Sequence, residues 1–219
     1  MTPAYLPSPR LSRRSLLMGA TSALSLWLVG CGGGRPSAAD READESWAGS
    51  LLDPPFTKPD VQFTDFHNRP FPLIESTRDK LTVLFFGYTR CPDICPVFLQ
   101  TMAAARHTLG STVAGLQVLF VGVDLEHDTP EALRTYLGAI DGTFIGLTGE
   151  SAEIDRAISE LKMAPVVIRE PGTSGGDDVG HQARVFVFSP DNLSHRLYNH
   201  DVRQREWVAD LPRLARGEW

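Results

Sequence analysis

Two stretches leave little choice of surroundings: residues 81–86 (LTVLFF) and 117–124 (QVLFVGVD) are apolar at almost every position. A strand with one wet face alternates apolar and polar residues. One that is apolar throughout is covered on both faces, as in a parallel sheet flanked by helices. Each run precedes a segment of helical character. Residues 95–109 carry Met102 and three alanines and stop at Gly110, and Thr129-Pro130-Glu131 supplies a cap and a first-turn proline for a helix to about residue 140. A short strand at 144–147 and a helix at 151–163 continue the alternation. Hairpins are predicted on either side, at 61–66 with 71–74 and at 183–188 with 193–199, and a final helix covers about 204–216. Residues 163–180 hold prolines, glycines and acids and read as a long loop or ragged hairpin. The prediction is an α/β sandwich: a mixed central sheet flanked by helices, with an N-terminal hairpin.

The first residues set the compartment. Ser12-Arg13-Arg14-Ser15-Leu16-Leu17 is a twin-arginine pattern, residues 16–30 are mostly apolar or small, and no acid occurs before Asp40. This is a signal peptide over residues 1–30, too short in its apolar part for a comfortable membrane span. Leu28-Val29-Gly30-Cys31 looks like a lipobox, with Cys31 as the lipidated residue. The plainer alternative is an uncleaved anchor with an incidental cysteine. Both place the rest of the chain outside the cytoplasm, and the lipobox reading makes it a lipid-anchored protein on the extracytoplasmic side of the cell membrane. Residues 31–56 are rich in Gly, Ser, Pro and acids and read as a flexible tether. Residues 57–219 then form one domain. Loss of the three signal arginines leaves the mature protein three charges more negative than the formal −6 of the whole chain. That acidic balance argues against nucleic acid as a partner.

With Cys31 lipidated, Cys91 and Cys95 are the two free thiols of the mature chain, in a compartment where disulfides persist. They follow a buried strand and open a helix, so the helix dipole favours their thiolates. Pro92 and Pro96 both suit a first turn but cannot both be its first residue. Either the helix starts at Pro96 with Cys95 as cap, or its first turn is distorted. Side chains four apart on a helix are separated by about 5–6 Å at Cβ. A disulfide wants about 3.5–4.5 Å, so it needs local adjustment, whereas a metal spans the wider gap. Two thiolates are too few for a closed zinc site; as soft donors they select copper(I). A further ligand is then required. His67, His107, His195 and His200 read as solvated or locally bonded residues. His127 follows a strand end, where ligands gather in α/β folds, and is a secondary candidate. His181 follows Gly180 at the end of the acidic loop and precedes a buried strand. It is either a ligand or an ordinary strand-start histidine.

The chain resembles the Sco family, also called SenC, of copper-binding proteins for cytochrome c oxidase assembly. The resemblance rests on Phe86-Gly87-Tyr88-Thr89 before Cys91-Pro92-Asp93-Ile94-Cys95-Pro96. It also rests on Val123-Asp124-Leu125-Glu126-His127-Asp128-Thr129-Pro130, on Gly180-His181, and on the turn Ser189-Pro190-Asp191. It implies a thioredoxin-like fold with copper held by Cys91, Cys95 and His181. It also implies partners: the copper-bearing subunit of cytochrome c oxidase and other envelope copper carriers. Leu125 and His127 stand where the family usually has Pro and Arg, and a lipobox stands where many members have a transmembrane helix. The leading expectation is a copper metallochaperone for the dinuclear copper site of the oxidase, with thiol-disulfide oxidoreductase activity left open as a side role. The alternative is a thiol-disulfide reductase acting on the cysteines of that site, with Cys91 attacking and Cys95 resolving. A peroxidase and a purely structural disulfide are the weaker readings.

Overall fold

The computed structural model describes residues 44, 46–168, 179–180 and 182–219. The expected signal peptide, Cys31, the first part of the expected tether and His181 lie outside the described residues. In chain order the strands are β1 (Ser50–Thr57), β2 (Gln62–Asp65), β3 (Pro70–Pro72), β4 (Thr82–Gly87) and β5 (Gln117–Gly122). They continue as β6 (Ile145–Thr148), β7 (Val167–Ile168), β8 (Val179–Gly180), β9 (Arg184–Phe188) and β10 (Leu193–Asn199). The helices are α1 (Leu73–Ser76), α2 (Ile94–Leu109), α3 (Pro130–Gly138), α4 (Ser151–Glu160) and α5 (Gln204–Ala215).

The two apolar runs become neighbours at the centre of the sheet. β4 is buried along its whole length and pairs in parallel with β5, from Thr82 opposite Gln117 to Gly87 opposite Gly122. β6 continues in parallel on β5. On the other flank β9 runs antiparallel to β4, and β10 antiparallel to β9. The full order among the described residues is β1-β10-β9-β4-β5-β6-β2-β3, with β7 and β8 as a separate antiparallel pair. The parallel strands are joined through α2 and α3, the crossovers that parallel pairing demands. Antiparallel neighbours β2–β3 and β9–β10 are joined by tight turns, where Asn68 (φ 61°) and Asn192 (φ 64°) take the left-handed conformation that Asn tolerates. The mixed sheet and its helices are the α/β architecture that the alternation predicts.

Helix α2 lies on β4 through Phe98, whose ring centre is 4.4 Å from that of Phe85. Phe98 in turn meets Trp207 of α5 edge-on at 6.4 Å. Phe85, Phe98 and Trp207 are fully buried, and burying an aromatic of this kind stabilises the fold by about 1.5–3 kcal/mol. The helix that carries the dithiol is therefore fixed to the centre of the sheet one turn beyond Cys95.

One expectation is corrected. The tether was read as running to residue 56, but Ser50–Thr57 is an edge strand on β10, with Ser50 opposite Leu197 and Phe56 opposite Ser194. Pro54 and Pro55 hide it in the sequence. The register shifts between Leu51 and Phe56, and an edge strand with such an irregularity accommodates prolines. Phe56 anchors it, its ring 5.8 Å from Phe186.

Lys58, directly after β1, is a buried cation. Its Nζ donates to Thr77 Oγ1 at 2.8 Å and lies 5.5 Å from the Phe188 ring centre. Burial lowers its pKa from 10.5 to about 8, against a smaller opposing pull from Asp191. Between those two values the unfolded chain binds a proton that the folded chain lacks, so stability rises with pH through that window. Lys58→Met removes this dependence. Urea unfolding at pH 7 and pH 10 is expected to shift the stability difference between the two proteins by about 2–3 kcal/mol in favour of wild type. A difference independent of pH would show that Lys58 is not desolvated.

Candidate metal centre

The site forms where β4 and β5 end. The chain leaves Gly87 through Tyr88, Thr89 and Arg90 to Cys91, whose N–H donates to the Tyr88 carbonyl at 3.1 Å. Of the two helix starts that the prolines allow, the distorted one is found. α2 begins at Ile94, and Asp93 before it has φ −136° and ψ −72° and makes no side-chain cap. Cys95 is thus the second residue of the helix, and its N–H has no partner within the helix. It donates to Cys91 Sγ at 3.4 Å. Pro96, next in line, has no N–H to satisfy, and Val97 N–H reaches the Asp93 carbonyl at 3.2 Å. A sulfur stands in for the missing cap, which brings the two cysteines together at the positive end of the helix.

Both thiols are free. Cys91 is 7% exposed and Cys95 is sealed at 0%. A Cβ built on Gly87 would lie 2.6 Å from the Phe120 ring and 2.9 Å from Cys95 Sγ. Residue 87 is therefore glycine because sulfur and ring occupy the space of a side chain. Burial drives the Cys95 thiol far above the usual range; the Tyr88 N–H opposes this, while Cys91 and Asp128 add to it. The helix dipole does not overcome desolvation here, and Cys95 holds its proton at neutral pH.

Asp128 joins this loop to the one after β5. Its Oδ1 accepts the Thr89 N–H at 2.8 Å and the Thr89 hydroxyl at 2.7 Å, and its Oδ2 accepts the Asp124 N–H at 3.0 Å. It is fully buried. Desolvation raises its pKa; the Thr89 and Asp124 hydrogen bonds pull the other way, and the Asp124 charge adds to the rise. Gly122 makes room for it, since a Cβ there would come within 2.6 Å of the Asp128 Cβ. Asp124, also buried, pairs with Arg90 at 3.3 Å and takes His127 Nδ1 at 3.0 Å.

The structure places Cys91 and Cys95 next to each other, the Cys95 N–H on Cys91 Sγ. His127 is held by Asp124 and does not join them: among the described residues no three His, Cys, Asp or Glu side chains are close enough to hold a metal ion. His195 is locally bonded, its Nε2 2.8 Å from Asp191 Oδ2. His181 and Cys31 lie outside the described residues. Sequence reading missed the carboxylate that ties the two loops. Its traces were the Asp124-x-x-x-Asp128 spacing after a buried strand and a glycine at the end of each strand. Chemically the site offers two adjacent, buried sulfurs, a donor set for a soft cation or for thiol-disulfide exchange.

A family model described as SCO1/SenC matches residues 58–216. Protein SenC of Rhodobacter capsulatus is 33% identical over 150 residues, covering 64% of this chain and 66% of that protein. The mitochondrial SCO1 homolog of Homo sapiens is 28% identical over 156 residues, 65% of this chain and 50% of its own length. Of these two relatives the chain therefore spans between half and two thirds. ScoI of Bradyrhizobium japonicum, a structure with copper bound, is 30% identical with a TM-score of 0.62, covering 73% of this chain and 99% of that one. The solution structure of apo Sco1 from Thermus thermophilus is 31% identical with a TM-score of 0.65, covering 77% and 96%. The fold is the expected thioredoxin-like sandwich, and the chain belongs to the SCO1/SenC family.

Proposed function

We propose that this protein is a copper metallochaperone that carries copper(I) to the dinuclear copper site of cytochrome c oxidase, with Cys91, Cys95 and His181 as its ligands. The observation that carries the reading is the placement of two free, buried sulfurs side by side at a helix start. Soft sulfur donors suit copper(I), and the 30% identical ScoI is a protein described with copper bound. His181 enters through the family motif, which gives the third ligand that the described residues do not supply.

The chain's own groups account for uptake and release. Cys95 is protonated when metal-free, because burial first, and then Cys91 and to a smaller degree Asp128, oppose a thiolate. A cation that binds the sulfur displaces this proton, so binding is coupled to proton release. Cys91, at the rim, is the sulfur that an incoming carrier or the acceptor subunit reaches first. Other envelope copper carriers would load the site and the copper-bearing oxidase subunit would empty it. A lipid on Cys31 would keep the exchange at the membrane.

A second reading draws on the same asymmetry. A rim thiol that attacks and a sealed thiol that resolves is the order a thiol-disulfide reductase needs, and it would act on the cysteines of the acceptor's copper site.

Three measurements test these statements. His181→Ala is expected to keep both thiols and the fold but lose at least about 10–100-fold in copper(I) affinity, with thiol exchange far less affected. Wild-type affinity with lost reductase activity would leave only the second reading. Copper(I) affinity of the wild type is expected to rise with pH between pH 6 and pH 8 by at least about tenfold per unit, because each cysteine that binds copper gives up its thiol proton; a flat profile would rule out proton-coupled binding. Cys31→Ser is expected to move the protein from the membrane to the soluble envelope fraction, and retention on the membrane would rule out the lipid anchor.

A further inference from the structure

The chain enters its domain through a clamped tryptophan. Trp47 lies between two guanidinium groups, with Arg196 4.3 Å and Arg213 3.5 Å from its ring centre. Such cation–π contacts are strongest where water is excluded, and Arg196 is buried. Four hydrogen bonds pin the segment on either side. Arg196 Nη1 donates to Asp44 Oδ1 and to the Gly49 carbonyl, both at 2.7 Å. Arg213 Nη1 donates to Ser46 Oγ at 3.3 Å, and the Ala48 N–H donates to Asp210 Oδ2 at 3.0 Å. Everything before Asp44, Cys31 included, is therefore joined to the domain at one fixed place, beside the edge strand β1 and the end of α5.

A depression of about 620 Å³ lies at the same place, lined among others by Trp47, Leu51, Arg196, Arg213 and Trp219. Five large apolar side chains stand exposed among the described residues, and two of them, Leu51 at 51% and Trp219 at 45%, are here. Trp219 is held in position by stacking on His195, with ring centres 3.7 Å apart and planes within 4°. The charged groups beside them are already paired: Asp44 with Arg196 at 2.7 Å, and Glu218 with Arg213 and Arg216 at 3.6 and 2.8 Å. An indole is favoured at a membrane–water boundary, where its apolar body and polar N–H are both accommodated.

We propose that this face rests on the membrane surface, with Leu51 and Trp219 entering the headgroup layer of the bilayer. The inference rests on the lipid anchor at Cys31 proposed above. The thirteen residues from Cys31 to Asp44 reach at most about 45 Å, which keeps an anchored domain close to the surface. Two half-exposed side chains bind a bilayer weakly by themselves. A tether of this length makes the contact intramolecular, at an effective concentration on the order of millimolar. Docking also sets where the dithiol stands. β10, β9 and β4 follow β1 in order, so the end of β4 is three strand spacings, about 14 Å, from the docked edge. It points along the surface, because strands run across the direction in which they pair. A partner held in the same bilayer is met from the side.

The test uses the lipidated mature protein in phosphatidylcholine vesicles whose acyl chains are brominated close to the headgroups, which quenches any indole that reaches them. Beyond the expected signal peptide the tryptophans are Trp47, Trp207 and Trp219, and Trp207 is sealed in the core. Part of the emission is expected to be quenched. Most of that quenching is expected to disappear in Trp219→Phe, which keeps a ring on His195, and to fall sharply in Leu51→Ser, which keeps the indole. Both side chains are about half exposed, so neither change opens the core. Because the charges are paired, anionic phosphatidylglycerol in the vesicles and raised salt are expected to leave the quenching unchanged. Vesicle-bound protein with unquenched emission, or quenching that survives both substitutions, would overturn the inference alone. Quenching that needs anionic lipid and fades with salt would also overturn it, since charge would then be the cause. A dimer in detergent solution that Leu51→Ser separates would assign the face to a second copy of the chain instead. Protein that fails to stay with the vesicles would overturn the lipid anchor, and the inference with it.

Discussion

The site depends on one buried carboxylate. Two loops leave the sheet side by side, one after β4 carrying the cysteines and one after β5 carrying Asp124. Asp128 accepts hydrogen bonds from both, two from Thr89 and one from the Asp124 backbone. Hydrogen bonds to an ionised group contribute about 1.5–3 kcal/mol each, and buried donors left without it would be destabilising in turn. The two loops are therefore tied to each other through one side chain. Asp124 adds a second tie by pairing with Arg90, the residue before Cys91.

That carboxylate is buried because the sheet makes room for it. Gly87 and Gly122 face each other at the last register position of the parallel pair. Beside one, the sulfur of Cys95 and the Phe120 ring fill the side-chain space; beside the other, Asp128 does. Sulfur and carboxylate thus approach the strand ends closely from two loops, and they interact electrostatically: the Asp128 charge is among the causes that keep Cys95 protonated. A helix N-terminus by itself would favour the thiolate. Here desolvation dominates and pushes the Cys95 thiol well above its usual range.

Much of the fold was legible because burial on both faces leaves a plain mark in sequence. The runs at 81–86 and 117–124 required a covered parallel sheet, and the helices after them showed their caps and apolar faces. β1 was not legible. Its prolines imitate a tether, and only pairing with β10 and the packing of Phe56 on Phe186 make it a strand. At the site, Cys91 and Cys95 stood out by their spacing and flanking prolines. The use of Cys91 sulfur as the helix cap did not, because it depends on the backbone at Asp93.

The sequence by itself determined the type of sheet, the dithiol at a helix start, the soft-donor chemistry and the family motifs. These are local matters: apolar patterning, residue identity and short spacing carry them. Only the tertiary structure decided that Cys95 is sealed and protonated, that Asp128 joins the two loops, and that His127 is held by Asp124 apart from the thiols. Each of these joins residues on different elements, and burial and electrostatic coupling arise only when β4 and β5 lie side by side.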